Sequence, residues 1–276
     1  MIENLLLCVG AQKTGTTWLH AQLKDHPQIG FSHVKEVHYF NTIHNGSILL
    51  TTRKVEHIKK LIENNRYALE KYFSDLSGGR EVDSGIKNLL APVDDNWYIN
   101  LLKTNKKYSA DFTPEYALLP DEGFQHFKKI SKAQKIIFIM RDPIERAKSA
   151  IQYYYKTHNR DINTETDVQI EEVAKKDFIL KMSQYEYTIQ ALEHEFSNEN
   201  LLFLFYENMM SDKQKTITSV TDFLDIENIL IDQKSLDKRV NVSEKYSFPD
   251  SINSFLESNL QGTYEYLREN YNECKY

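Results

Sequence analysis

Leu5-Leu-Leu-Cys-Val-Gly-Ala-Gln-Lys-Thr-Gly-Thr-Thr-Trp18 runs from five apolar residues into a polar loop with two glycines, then into a helical pattern. An apolar run this short, closed by Gly10, suits a strand buried on both faces. Thr16 to Lys24 places Trp18, Leu19 and Leu23 on one helical face, and His26-Pro27 ends it. Strand, glycine loop and helix amino terminus together form an anion site: backbone N–H groups point outward and the helix dipole favours negative charge. A nucleotide-triphosphate loop carries Lys-Ser or Lys-Thr directly after its last glycine. Here Thr16-Thr17 follows Gly15 and the lysine stands earlier, at Lys13. The alternative is an ordinary strand–helix turn.

The same alternation continues outward. Ile29–Ser32 is a short candidate strand, and Lys135–Met140 and Asn200–Phe205 are continuous apolar runs of the kind found in parallel sheets. Helical patterns are expected over Arg53–Phe73, Pro143–His158, Glu171–Phe196 and Ser211–Leu224, with a Tyr-rich helical tail. Arg160–Asp167 reads as a loop, and Lys128, Lys129 and Lys132 as a solvated helix face. Strands alternating with helices predict an α/β chain: a P-loop-like three-layer fold with a central parallel sheet flanked by helices, as one domain over 1–276.

The chain has 276 residues, 41% hydrophobic and 27% charged, which excludes disorder as its main state. A net charge of −6 argues against a nucleic-acid coat. Its two cysteines, Cys8 and Cys274, do not indicate a disulfide scaffold. No apolar run reaches membrane-spanning length and the first residues lack a signal-peptide pattern, so the expected location is cytoplasmic.

A second constellation starts where the Ile136–Met140 run ends: Arg141-Asp-Pro-Ile-Glu-Arg-Ala-Lys-Ser149. A nucleotidase of the P-loop type places a magnesium-binding aspartate at that strand end, and this chain places Arg141 there. A guanidinium is a planar, permanently charged fork suited to phosphate, and Ser149 adds a hydroxyl two helical turns on. The alternative for Arg141 is an ion pair capping the strand.

Together these segments resemble the sulfotransferase superfamily, whose members transfer a sulfuryl group from 3′-phosphoadenosine-5′-phosphosulfate (PAPS). Lys13-Thr-Gly-Thr-Thr-Trp18 is similar to its 5′-phosphosulfate loop, and Arg141 with Ser149 to its 3′-phosphate motif. Leu204-Phe-Tyr-Glu-Asn208 is similar to a stretch whose tyrosine lies near the adenine. His33-Val-Lys-Glu-Val-His-Tyr-Phe40 resembles the segment of the heparan sulfate branch in which the glutamate is the base. The resemblance extends from residue 5 to about residue 225, with a weaker echo at Lys238–Lys245. Two departures argue against heparan sulfate itself as acceptor: Asn41 replaces an aspartate, and Phe112 in Asp111-Phe-Thr-Pro114 replaces a lysine.

The resemblance implies these roles. Lys13, Thr14, Gly15, Thr16 and Thr17 hold the 5′-phosphosulfate, with Lys13 meeting charge on the leaving nucleotide, adenosine 3′,5′-bisphosphate. Arg141 and Ser149, joined by Arg239, hold the 3′-phosphate. Trp18 and Tyr206 contact the adenine. Glu36 is the first choice of general base and His38 the second. No metal is required, since Lys13 supplies the positive charge, and no metal-ligand spacing is visible around His33, His38 and His44. Of Tyr153, Tyr154 and Tyr155, most are expected in helix packing. The acceptor is a hydroxyl, first on a carbohydrate or glycan and otherwise on a natural product or lipid. Two rivals remain from other classes: an ATP-dependent P-loop kinase, and a nucleotide-binding protein without catalysis.

Overall fold

The computed structural model describes residues 1–237 and 246–271. In chain order its elements are β1 (Ile2–Gly10), α1 (Thr16–Leu23), β2 (Ile29–Phe31), α2 (Tyr39–His44), α3 (Leu49–Ser77), α4 (Ser84–Leu90), α5 (Asp95–Leu101), β3 (Tyr108–Phe112), α6 (Asp121–Ile130), β4 (Ser131–Met140), α7 (Pro143–Thr157), α8 (Asp167–Ala174), α9 (Tyr185–Glu195), β5 (Leu201–Phe205), α10 (Tyr206–Ser211), α11 (Lys213–Phe223), α12 (Gln233–Asp237) and α13 (Asp250–Asn270). The strands form one five-stranded sheet, ordered β2-β3-β1-β4-β5, and every pairing is parallel.

The apolar runs sit in the sheet because both of its faces are covered. Side chains alternate across a strand: Leu5, Leu7 and Val9 enter one core with Ile136, Phe138 and Met140, while Leu6 and Cys8 enter the other with Ile137 and Ile139. The first core is closed by α2, α5, α6 and α9, the second by α1 and α11. A third cluster joins α7, α8 and α13. The expected three-layer α/β architecture is therefore present. β1 lies at the centre, with β3 on one side and β4 on the other. Loops diverge at its carboxyl end, where ligands of open α/β sheets bind.

Several expectations change. The stretch expected to be one helix over Glu171–Phe196 is α8, a 3₁₀ turn at Lys181–Ser183 and α9. The carbonyls of Phe178 and Ile179, which a continuous helix would spend internally, instead accept from the buried Arg146 guanidinium at 2.8 and 2.6 Å. The Ser211–Leu224 pattern starts later, because Asp212 breaks it and its carboxylate caps α11 through the Lys215 N–H at 3.0 Å. The Arg53–Phe73 pattern is longer and is divided at Asn65 (φ −151°, ψ 50°). Lys128, Lys129 and Lys132 do not share one helix face: the first two end α6, while Lys132 lies in β4 and pairs with Glu3 at 2.7 Å. β3 is an element the apolar pattern does not announce. Its Ser109 and Asp111 are buried, and Asp111 accepts from the hydroxyls of Tyr98, Thr113 and Tyr116 at 3.0, 2.7 and 2.7 Å.

Candidate functional site

The loop leaving β1 is held from several directions. The Ala11 N–H donates to the Ile139 carbonyl at 2.8 Å. Thr14 Oγ1 donates back to the Ala11 carbonyl at 2.6 Å, so this fully buried hydroxyl staples the loop. Arg146 donates to the Gln12 carbonyl at 2.8 Å and to Ser183 Oγ at 3.2 Å. Gly10 has φ +149°, and a side chain there would press to 2.6 Å from the Pro114 carbonyl, so the backbone passes only as glycine. Gly15, at φ +94°, is the residue before α1, and its bare α-carbon faces the ring of Tyr206.

Lys13 also takes a left-handed backbone (φ 74°). Its ammonium lies over the Tyr153 ring, 4.4 Å from the centroid. Burial first, then Arg141, Arg146 and Lys156, lower its pKa to about 8. Arg141 stands at the end of β4, as expected. Its guanidinium lies 4.9 Å from the centroid of the Tyr206 ring and donates to the Lys13 carbonyl at 3.5 Å. Ser149 lies partly exposed two turns into α7, whose first turn follows Arg141. Asp142, one position beyond Arg141, is committed to structure: Oδ1 accepts from the Glu145 N–H at 2.8 Å and Oδ2 from the Tyr264 hydroxyl at 2.9 Å.

The two aromatics part company. Tyr206 closes over the loop from the start of α10. Trp18, expected beside the same base, is 6% exposed, because it lies on the face of α1 that packs on the sheet. Its indole N–H donates to the Leu236 carbonyl at 3.1 Å. Arg239 and the rest of Lys238–Lys245 lie outside the described residues.

The segment after β2 approaches from the other side. Lys35 Nζ donates to Thr17 Oγ1, in the first turn of α1, at 2.7 Å and to Glu36 Oε1 at 3.1 Å. Glu36 is thus paired with Lys35, and its φ of 57° is left-handed. Arg53 of α3 holds that backbone by donating to the Glu36 carbonyl at 2.5 Å, with its other nitrogen 3.8 Å from Glu36 Oε2. His38 is 1% exposed. Burial first, then Arg53, lower its pKa to about 4, so it is neutral near pH 7.

Sequence reasoning missed Glu115. Its Oε1 accepts from Gln12 Nε2 in the loop at 3.0 Å. Its Oε2 lies 3.8 Å from His38 Nδ1, and neither buried atom has a hydrogen-bond partner. Burial first, then Glu36, raise the Glu115 pKa to about 7. The signal was a carboxylate directly after Thr113-Pro114, within a motif already singled out. Arg146 was missed as well, although it lies inside the Arg141–Ser149 stretch. Phe112 is 2% exposed and packs against Phe31 and His20. Among the described residues, no group of three or more His, Cys, Asp or Glu is arranged to hold a metal ion, and no helix is long and apolar enough to cross a membrane.

Comparison with known proteins identifies the family and the fold. Residues 3–259 match the family described as sulfotransferase domain. Membrane-associated sulfotransferase kil1 of Dictyostelium discoideum is 28% identical over 160 residues, 56% of this chain. The match spans only about a quarter (24%) of that relative's length. Among solved structures, a sulfotransferase from Alicyclobacillus acidocaldarius superposes with TM-score 0.61 at 15% identity, covering 97% of each chain. The sulfotransferase domain of the Synechococcus PCC 7002 olefin synthase gives TM-score 0.52 at 15% identity, covering 93% of this chain and 94% of that one. STF9 from Mycobacterium avium gives 0.52 at 13% identity, covering 100% and 79%. At these identities the likeness is one of fold.

Proposed function

The chain belongs to the sulfotransferase domain family, and with sulfuryl transfer from PAPS as the premise, we propose that the acceptor is a carbohydrate hydroxyl, that Glu36 takes its proton and that Lys13 meets the charge on the departing nucleotide. One observation carries the donor side of this reading. Lys13, Arg141, Arg146 and Lys156 are close enough that the three other cations lower the Lys13 pKa beyond the effect of burial. Cations that repel one another beside a helix amino terminus are compensated by a polyanion.

Bound PAPS supplies an activated sulfuryl group and a stable leaving group. The residues supply positioning and charge, which carry transfers of this type. The loop of residues 10–17 and the first turn of α1 receive the 5′-phosphosulfate. Lys13 sits on the α7 side of that loop. Arg141, with Ser149, takes the 3′-phosphate, and the Tyr206 ring beneath the Arg141 guanidinium takes the adenine. Glu36 is favoured over His38 as base because it is partly exposed, whereas His38 is buried and its Nδ1 faces Glu115. A polar acceptor is favoured over a lipid, because Lys35, Glu36 and Arg53 line the approach to Thr17.

The phosphotransferase rival loses support, since both Asp142 oxygens are taken by hydrogen bonds within the chain. Incubation with ³⁵S-labelled PAPS and a panel of polysaccharides, oligosaccharides, phenols and lipid alcohols tests the reading. Label transferred to a carbohydrate supports it, and label on a phenol or lipid alone overturns the acceptor assignment. Stabilisation in a thermal-shift assay by ATP and magnesium, but not by adenosine 3′,5′-bisphosphate, would return the chain to the kinase reading.

A further inference from the structure

We infer that the cavity at the β5 edge of the sheet, between the ends of α9 and α13, binds a small organic cation of the quaternary ammonium class. Its volume is about 290 Å³, at the lower end of small-ligand cavities. One carboxylate, Glu193, and the rings of Phe203, Tyr266 and Tyr271 line it, and no lining side chain is a cation. Glu193 and Asn270 belong to the last turns of α9 and α13, and helix carboxyl ends carry partial negative charge. Carboxylate, helix ends and ring faces therefore attract the same sign of ligand. The cavity is separate from the donor loop. β5 begins at Leu201, in its wall, and leads at its other end to Tyr206, which closes over that loop.

The rings are placed by the fold. β5 is the last strand of the sheet order, and alternation puts Leu201, Phe203 and Phe205 on one face. Tyr271, at the end of α13, meets Phe203 edge to face, with centroids 5.8 Å apart and planes at 76°. It meets Phe205 in the same way at 5.7 Å. Tyr266 and Asn270 stand one turn apart on α13, and Asn270 Nδ2 donates to the Tyr266 carbonyl at 2.8 Å. Burial first, then Glu193, raise the pKa of both tyrosines, which sets the carboxylate beside the two rings. Neighbouring cations are directed elsewhere. Lys128 pairs with Glu195 at 2.5 Å, Lys135 donates to the Glu199 carbonyl at 2.5 Å, and Arg268 lies over the Tyr264 ring. A single carboxylate is too few oxygens for a calcium or magnesium ion, which takes about six or more ligands. A quaternary ammonium needs no such shell and is recognised by aromatic faces.

Nuclear magnetic resonance titration of the whole chain with choline, at constant ionic strength, tests this. The comparison ligand is 3,3-dimethylbutan-1-ol, which has the same shape and no charge. Choline is expected to shift the backbone amides of Glu193, Phe203 and Tyr271 and to bind about tenfold more tightly than the neutral alcohol. Glu193→Gln and Tyr271→Leu each weaken choline by roughly 3- to 30-fold. Tyr271→Phe keeps the ring and stays within about twofold of wild type, which separates loss of the ring face from loosening of the sheet edge. Equal binding of choline and the alcohol would make the cavity an apolar cleft and overturn the inference. So would the same shifts with potassium in place of choline, or none at about 10 mM choline, tenfold above a weak, millimolar Kd. An unchanged choline affinity in both Glu193→Gln and Tyr271→Leu would overturn it as well. Choline binding is read without nucleotide, so its outcome is independent of the proposed function.

Discussion

The Lys13 ammonium rests over the face of Tyr153, 4.4 Å from its centroid, on the side of the loop that also faces Arg141. Burial first, then the nearby Arg141, Arg146 and Lys156, lower its pKa to about 8. An anion beside it favours the charged form and raises that value. The complex then holds more protons than free protein and free ligand, so binding of adenosine 3′,5′-bisphosphate near pH 8.5 takes up a proton, and affinity weakens as pH rises above 8. Calorimetry in two buffers of different ionisation enthalpy measures the uptake. Lys13→Ala removes it and abolishes transfer; unchanged uptake in that variant assigns the proton elsewhere.

Arg141→Ala is expected to weaken bisphosphate binding by roughly 10- to 100-fold, the range for a charge-assisted hydrogen bond of about 1.5–3 kcal/mol. The guanidinium is not part of the buried core, so the midpoint of thermal unfolding stays close to wild type. Titration calorimetry decides: wild-type affinity in the variant separates Arg141 from the 3′-phosphate.

Glu36→Gln keeps the shape of the side chain and removes the base. Transfer drops by roughly 100-fold or more while nucleotide affinity is nearly unchanged. His38→Ala costs stability, because it empties a buried position, but leaves the acid limb of the rate–pH profile in place. If the histidine variant loses that limb and the glutamine variant keeps it, the roles exchange.

Glu115 makes folding pH-dependent. Its pKa is about 7 in the folded protein against an ordinary 4.5, so between those values the folded state keeps a proton that the unfolded chain has released. Stability therefore falls as pH rises through this window, and the loss is complete above about 7. Buried, neutral His38, with a pKa near 4, acts in the opposite sense, losing stability as pH falls below its ordinary 6.5. Glu115→Gln removes the first effect alone, so the variant is more stable than wild type at pH 8 and gains less, or nothing, at pH 4.5. Parallel thermal-midpoint curves for both proteins across that range would sink the assignment.

Much of the site was legible because its chemistry is local. The order strand, Gly10, Lys13, Gly15, Thr16 is a contiguous backbone device, and Arg141 stands one residue beyond an unmistakable apolar strand. That the Trp18 indole lies on the sheet-facing side of α1 was not legible, because a helix has two faces and only the packed sheet shows which one turns inward. β3 was invisible because Ser109 and Asp111 break an apolar run. Their burial is tolerable only because a carbonyl accepts from Ser109 and hydroxyls from outside the strand donate to Asp111.

Sequence by itself determined the layering, the glycine loop between the first strand and helix, and the family resemblance, since apolar periodicity and turn chemistry act between neighbours along the chain. Only the tertiary structure decided that Lys35 reaches Thr17, that Arg146 holds the loop from beneath and that Glu115 faces His38. Those contacts join residues from 18 to 134 positions apart, and they exist because the parallel sheet brings the carboxyl ends of separate strands to one edge.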